Sequence, residues 1–198
     1  MVINRPHLIL AYHGCDKAIC DAVVRGEREL ESSKNEYDWL GPGIYFWEHS
    51  YDRAFHFAHD RKENPKGKTQ IQEPSVLGAV LMLSNCLDLL DSRYLDLVQK
   101  AHASFVKSFS EGAKLPRNTG GAGKLLRHLD CAVIRHLHKV REAEALPAFD
   151  TVRSVFFEGK PLYPRAGFRE KNHIQVCVVN PECILGYFIP AEGRRSPR

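Results

Sequence analysis

An α+β fold is predicted for this chain on three observations. Strand-like apolar runs lie toward both ends of the sequence, and two long helix-like stretches lie between them. The glycine spacings of the Rossmann and P-loop nucleotide folds, which would mark an alternating parallel α/β sheet, are absent. The length of 198 residues suits a single domain, taken as residues 1–198. Hydrophobic residues make up 43% and charged residues 26%, a mix that excludes a disordered, collagen-like or fibrous chain. No apolar run nears the ~20 residues of a membrane helix. Met1 to Leu10 holds an Arg, a Pro and a His instead of a signal core, so no membrane partner and a cytoplasmic location are expected.

Each element has a local reason. Leu8–Tyr12 is an apolar strand expected to end in a turn at His13-Gly14. Asp16 can cap a helix whose Ala18, Ile19, Ala22 and Val23 recur at helical spacing, with Gly26 near its end. Glu27–Asp38 is a polar loop. In Trp39–Phe46 (W-L-G-P-G-I-Y-F) two glycines around a proline force a turn before a short strand. Ser50 or Asp52 can cap the next helix, which carries Ala54, Phe55, Phe57 and Ala58; Arg61–Lys68 and the residues up to Pro74 read as a solvated polar loop. Val76–Leu83 is a strand. Ser92–Lys107 and Lys124–Arg141 are helical, the second with a stripe of Leu125, Leu129, Ile134 and Leu137, and Gly112–Gly123 links them. This helical pair, about 91–150, separates two strand-rich parts and is read as an insertion. Thr151–Glu158, Ile174–Val179 and Cys183–Ile189 are strands, and Gly193–Arg198 is a basic, frayed tail.

Six cysteines are spread along the chain without a CxxC pair. Buried free thiols in a reducing compartment are expected, and no metal site. The net charge of +4 is compatible with an anionic ligand or a nucleic acid and demands neither.

Three places combine a reactive or aromatic side chain with a break in the backbone. In Tyr12-His13-Gly14-Cys15, the imidazole can meet a hydroxyl while the glycine admits a ligand to the backbone; alternatively, His13 bonds a neighbouring carbonyl. In Gly41-Pro42-Gly43-Ile44-Tyr45-Phe46, flanked by Trp39 and Trp47, Tyr45 can offer its face to a planar heteroaromatic ring or pack in the core. From Gly167 to Gln175, a charged loop runs into a strand whose first polar group either reaches a cleft or belongs to an ordinary core strand.

Taken in order and spacing, these motifs resemble the ADP-ribosyltransferase superfamily, nearest its diphtheria-toxin and poly(ADP-ribose) polymerase branch. The likeness covers Leu8–Ala58, Val76–Leu89, which includes Gly78-Ala79-Val80-Leu81, and Thr151–Pro190, and leaves the helical pair outside. It implies a split β-core of two small antiparallel sheets with flanking helices, closing with a hairpin of His173–Val179 and Cys183–Ile189. It implies NAD as co-substrate, transfer of ADP-ribose to a macromolecular acceptor, protein or nucleic acid, and release of nicotinamide. His13 matches the residue that bonds a ribose hydroxyl, Gly14 the one whose backbone clamps the amide, and Tyr45, followed by Phe46, the one that stacks on the nicotinamide ring. His56 stands where the branch has a second stacking Tyr.

The branch's catalytic Glu falls near Ile174. Gln175 is the expected cleft-facing group, with Glu170 just upstream in the loop, and either can take the role. The loop Lys160–Asn172 is expected to contact the acceptor, and Arg153, Arg165, Arg169 and Lys171 to face phosphates or solvent. By analogy, a small transferase of this kind suits a bacterial toxin or defence enzyme. The alternatives are a catalytically silent NAD or ADP-ribose binding module and a nucleic-acid interaction domain on the same fold.

Overall fold

Alternation along the strands decides what the sheet buries on each face. In β2 (Ile44–Glu48), Ile44 and Phe46 enter one apolar cluster with Ile9, Ala11, Ala79, Leu81, Val176 and Val178. Tyr45, between them, packs instead against a second cluster of Leu40, Leu87, Ile134, Val152 and Cys177. The computed structural model of the chain describes residues 8–65, 70–120 and 125–191. The tail expected at 193–198 lies outside them, as do residues 121–123 of the glycine-rich linker.

The remaining strands are β1 (Leu8–Asp16), β3 (Pro74–Met82), β4 (Cys86–Asp88), the short β5 (Asn118–Thr119) and β6 (Leu126–Arg127), β7 (Thr151–Phe156), β8 (His173–Val178) and β9 (Ile184–Phe188). The helices are α1 (Lys17–Val24), α2 (Tyr51–Glu63), α3 (Ser92–Lys107) and α4 (His128–Ala143). The α+β class is therefore observed.

The expectation of two small antiparallel sheets is corrected. Seven strands form one sheet in the order β4-β7-β8-β2-β1-β3-β9, and β4 pairs with β7 in parallel; β5 and β6 form a separate pair. The two parts of the sheet nevertheless meet at a narrow seam. Between β1 and β2 the register covers Ala11 opposite Glu48 and Tyr12 opposite Trp47, whereas β1 and β3 pair along their whole length, from Leu8 opposite Met82 to Asp16 opposite Pro74. That full pairing also carries β1 straight through His13-Gly14, where a turn was expected.

The closing hairpin is corrected too. β8 lies between β7 and β2, while β9 pairs with β3 at the far edge. A 3-10 turn at Pro181–Cys183, capped by the Asn180 side chain on the Glu182 N–H, sends the chain away from β8 instead of back along it. Gly78 permits the new pairing, because a Cβ there would lie 2.4 Å from the Phe188 ring.

The helices lie as the caps direct. Asp16 accepts from the Ala18 N–H and starts α1, and Asp91 does the same for α3 through Arg93 N–H. Ser50 occupies the N-cap of α2 without a side-chain cap bond. The second long helix begins at His128, later than expected, because Asn118 of the short hairpin accepts from the Leu129 and Asp130 N–H groups. α1 covers Cys15 and Leu77, α2 packs Ala54 against Trp47 and Val76, and α4 covers the second cluster, with α3 beside it. All six cysteines are buried and unbridged. Among the described residues, no helix is long and apolar enough to cross a membrane.

Candidate functional site

The seam is the first feature of the site. Where the β1–β2 pairing stops, the His13 side chain takes over, its Nδ1 lying 2.8 Å from the main-chain oxygen of Tyr45. A carbonyl only accepts, so Nδ1 carries the proton and Nε2 of the neutral ring is an acceptor. Burial lowers the His13 pKa, and the carbonyl bond only partly offsets this. The ring leans toward Phe46, with centroids 5.7 Å apart.

Tyr45 is brought to His13 by its main chain, not by its ring. Its hydroxyl donates to the Gly41 carbonyl at 2.7 Å and accepts from the Leu40 N–H at 3.1 Å. The phenol thus pins the Gly-Pro-Gly turn to the second core cluster, and burial raises its pKa. Phe46 is fully buried in the first cluster. Consecutive residues of a strand face opposite ways, so His13 on the Phe46 side and the Tyr45 phenol lie on opposite faces of β2.

Other expected site residues are placed as follows. Gly14 does admit a close neighbour, but that neighbour is α2: a Cβ there would lie 2.1 Å from the Ala54 carbonyl oxygen. His56 is exposed on α2, whose buried residues are Ala54 and Ala58, so it does not face Tyr45. Glu170 is exposed and accepts from the Lys160 N–H at 3.1 Å. Gln175 is buried in β8, opposite Trp47 on one side and Ser154 on the other, and its Oε1 accepts from Trp39 Nε1 at 3.0 Å.

Around Gln175 the structure gathers residues that lie far apart in the chain. His173 shares its face, with Phe156 opposite it in β7. The imidazole lies 6.3 Å from the Trp47 ring and 6.5 Å from the Trp39 ring. Its Nδ1 is 2.7 Å from the Lys171 carbonyl and 3.8 Å from Glu158 Oε2. Arg53 reaches in from α2 and holds the same Glu158 oxygen at 3.0 Å. The Arg127 guanidinium lies 4.3 Å over the Trp39 ring, a cation–π contact.

The local electrostatics are those of a charged carboxylate in a donor-rich setting. Trp47 Nε1 and Arg53 Nε and Nη1 are buried donors with no partner among the described residues, and His173 Nε2 is a buried acceptor in the same state. Burying such groups unpaired is costly, so the arrangement suits a polar ligand that supplies both acceptors and a hydroxyl.

Trp39 and Trp47 were visible as flanks of the Gly-Pro-Gly turn. Arg53 and Glu158 were not singled out, since an ion pair across 105 positions leaves no local pattern. Arg153 is also resolved: Glu48 clasps its Nε and Nη2 at 2.6 and 2.8 Å, and Asp88 meets its Nη1 at 3.2 Å. It is thus an internal clamp. Among the described residues, no group of three or more His, Cys, Asp or Glu side chains comes together to hold a metal ion.

The histidines also set a pH dependence. Burial lowers the pKa of His13, His138 and His173; Arg141 adds to the effect at His138 and Arg53 at His173, while the Lys171 carbonyl and Glu158 partly oppose it there. Unfolding restores a value of about 6.5, so below that pH the unfolded chain binds more protons. Stability should therefore fall as pH drops from about 6.5 toward the lower folded-state values. Melting temperatures measured from pH 8 to pH 5 check this; a flat or rising profile below pH 6.5 would refute it.

Comparison with known proteins adds one relative. The chain is similar to the uncharacterized protein MJ0359 of Methanocaldococcus jannaschii, 28% identical over 190 residues, covering 87% of this chain and 83% of that protein. No family model matches the chain, and no solved structure matches it.

Proposed function

We propose that the chain binds NAD and transfers its ADP-ribose to a macromolecular acceptor, releasing nicotinamide. The observation that carries this reading is the Glu158 carboxylate, held by Arg53 on the face of the sheet that bears His173 and Gln175. Breaking the nicotinamide–ribose bond builds positive charge on the ribose, and a fixed carboxylate beside it stabilises that charge. The Gln175 amide can hold a ribose hydroxyl but carries no charge. Glu158 supplies the charge that Gln175 lacks, and Glu170, exposed and bound to the Lys160 N–H, has no part in this arrangement.

The unpartnered Trp47 and Arg53 donors fit acceptor atoms of such a dinucleotide. His13, on the Phe46 face of the sheet, lies on the opposite side from Gln175 and Trp47, so this reading gives it no contact with the ligand. Ala54 covers Gly14, so this reading assigns no backbone clamp to that glycine.

A second reading is favoured by Gln175 itself: with an amide at the strand position and its oxygen already bonded to Trp39, the site binds NAD without turnover if Glu158 plays no part. Incubating the protein with NAD and a cell lysate, with nicotinamide measured by chromatography and label followed into protein and nucleic-acid fractions, separates the two. Nicotinamide release with labelled acceptor supports transfer. Binding without release supports the silent module. Absence of binding sinks both.

A further inference from the structure

We propose that the ordered hairpin between β7 and β8, residues 157–170, is a docking surface for single-stranded nucleic acid. Three observations converge on it. First, the segment is built and not merely a loop. Leu162 N–H bonds the Phe168 carbonyl at 3.1 Å, Glu170 N–H the Lys160 carbonyl at 3.1 Å, and Arg169 Nη1 the Gly159 carbonyl at 3.0 Å. Order of this kind removes much of the entropy cost of binding.

Second, this rigid frame turns large apolar side chains outward. Leu162, Tyr163 and Phe168 are 58%, 57% and 62% exposed, and Phe157 at the base is 55% exposed. Apolar side chains clustered in this way on an ordered surface mark an interaction site. Aromatic rings of this sort stack on bases of any sequence.

Third, the charge on the tip is positive. Glu158 is paired with Arg53, and the other acidic residue of the segment, Glu170, is outnumbered by Lys160, Arg165 and Arg169. Lys160 and Arg165 have no ion-pair partner among the described residues, and Arg169 spends one nitrogen on Gly159. Tyr163-Pro164-Arg165-Ala166 forms a tight turn closed by Ala166 N–H on the Tyr163 carbonyl at 2.9 Å. Arg165 stands at its corner with φ +67°, a position that favours glycine. A backbone cost retained for a cationic side chain points to a use for that charge. Cations interleaved with exposed rings match phosphates alternating with bases, whereas a protein partner would require complementary acidic and apolar patches of its own.

This inference needs no NAD chemistry, so its failure and that of the transferase reading are distinguishable. Binding of the full chain to fluorescein-labelled, mixed-sequence 12-mers of single-stranded RNA and DNA is measured by anisotropy without NAD across a salt series. Phe168→Ala and Tyr163→Ala should each weaken binding about 5- to 150-fold. Arg165→Gly should lower the slope of log K against log salt by about 0.7. The same variant should keep or raise the melting temperature, because the turn is relaxed. Wild-type chain that binds neither strand, or aromatic variants that bind both as tightly as wild type, would overturn the proposal.

Discussion

Glu158→Gln should lower nicotinamide release from NAD by about 10²–10³-fold, the loss typical of removing one well-aimed electrostatic group. The substitution keeps the shape of the side chain, and the amide oxygen can still accept from Arg53 Nη2, which lies 3.0 Å from the carboxylate. What disappears is the negative charge beside His173 and on the face of Gln175. A group that acts on charge developing in the transition state changes turnover more than substrate binding. The KM for NAD should therefore change little and kcat should carry the loss. A full rate in the Gln variant, measured beside an unchanged melting temperature, would remove Glu158 from the reaction.

Arg153→Met should destabilise the fold by about 3–5 kcal/mol, because it takes from two buried carboxylates the cation they share. Glu48 and Asp88 have side chains only 10% and 7% exposed, and the single guanidinium spans both. Its links also tie β7 to β2 and β4, strands that do not all neighbour one another in the sheet. At roughly 2–4 °C per kcal/mol for a chain of this size, the melting temperature should fall by about 6–20 °C. Adding Glu48→Gln and Asp88→Asn should recover part of the loss, since neutral side chains no longer need the cation. Failure of the triple variant to recover any stability would show that the packing of the Arg stem, and not its charge, matters here.

Local chemistry was legible in the sequence wherever it acts over a few residues. Asp16 and the helix Ser92–Lys107 follow from capping and periodicity, and both stand as expected. The pairing of β9 with β3 was not legible, since it depends on which distant edge the chain meets after Pro181. Two-residue strands such as β5 and β6 carry too little pattern to be seen. At the site, alternation along β8 sets Gln175 and Ile174 on opposite faces, and Gln175 is buried and bonded to Trp39. The same alternation in β2 sets the Tyr45 phenol and the Phe46 ring on opposite faces, and a motif read as a string of letters does not display that separation. Arg53 and Glu158 meet only because α2 folds over the sheet, a tertiary fact with no local sign.

The route of the last strand has a consequence for how the chain is made. Strand β3 is paired with β1 on one side and waits for residues 184–188 on the other. During synthesis its outer rim, lined by unsatisfied amides and carbonyls, stays open until more than a hundred further residues have left the ribosome. A stop or stall before Ile184 would leave that rim as a template for pairing with other nascent chains, so premature termination there should yield aggregates in place of a soluble fragment.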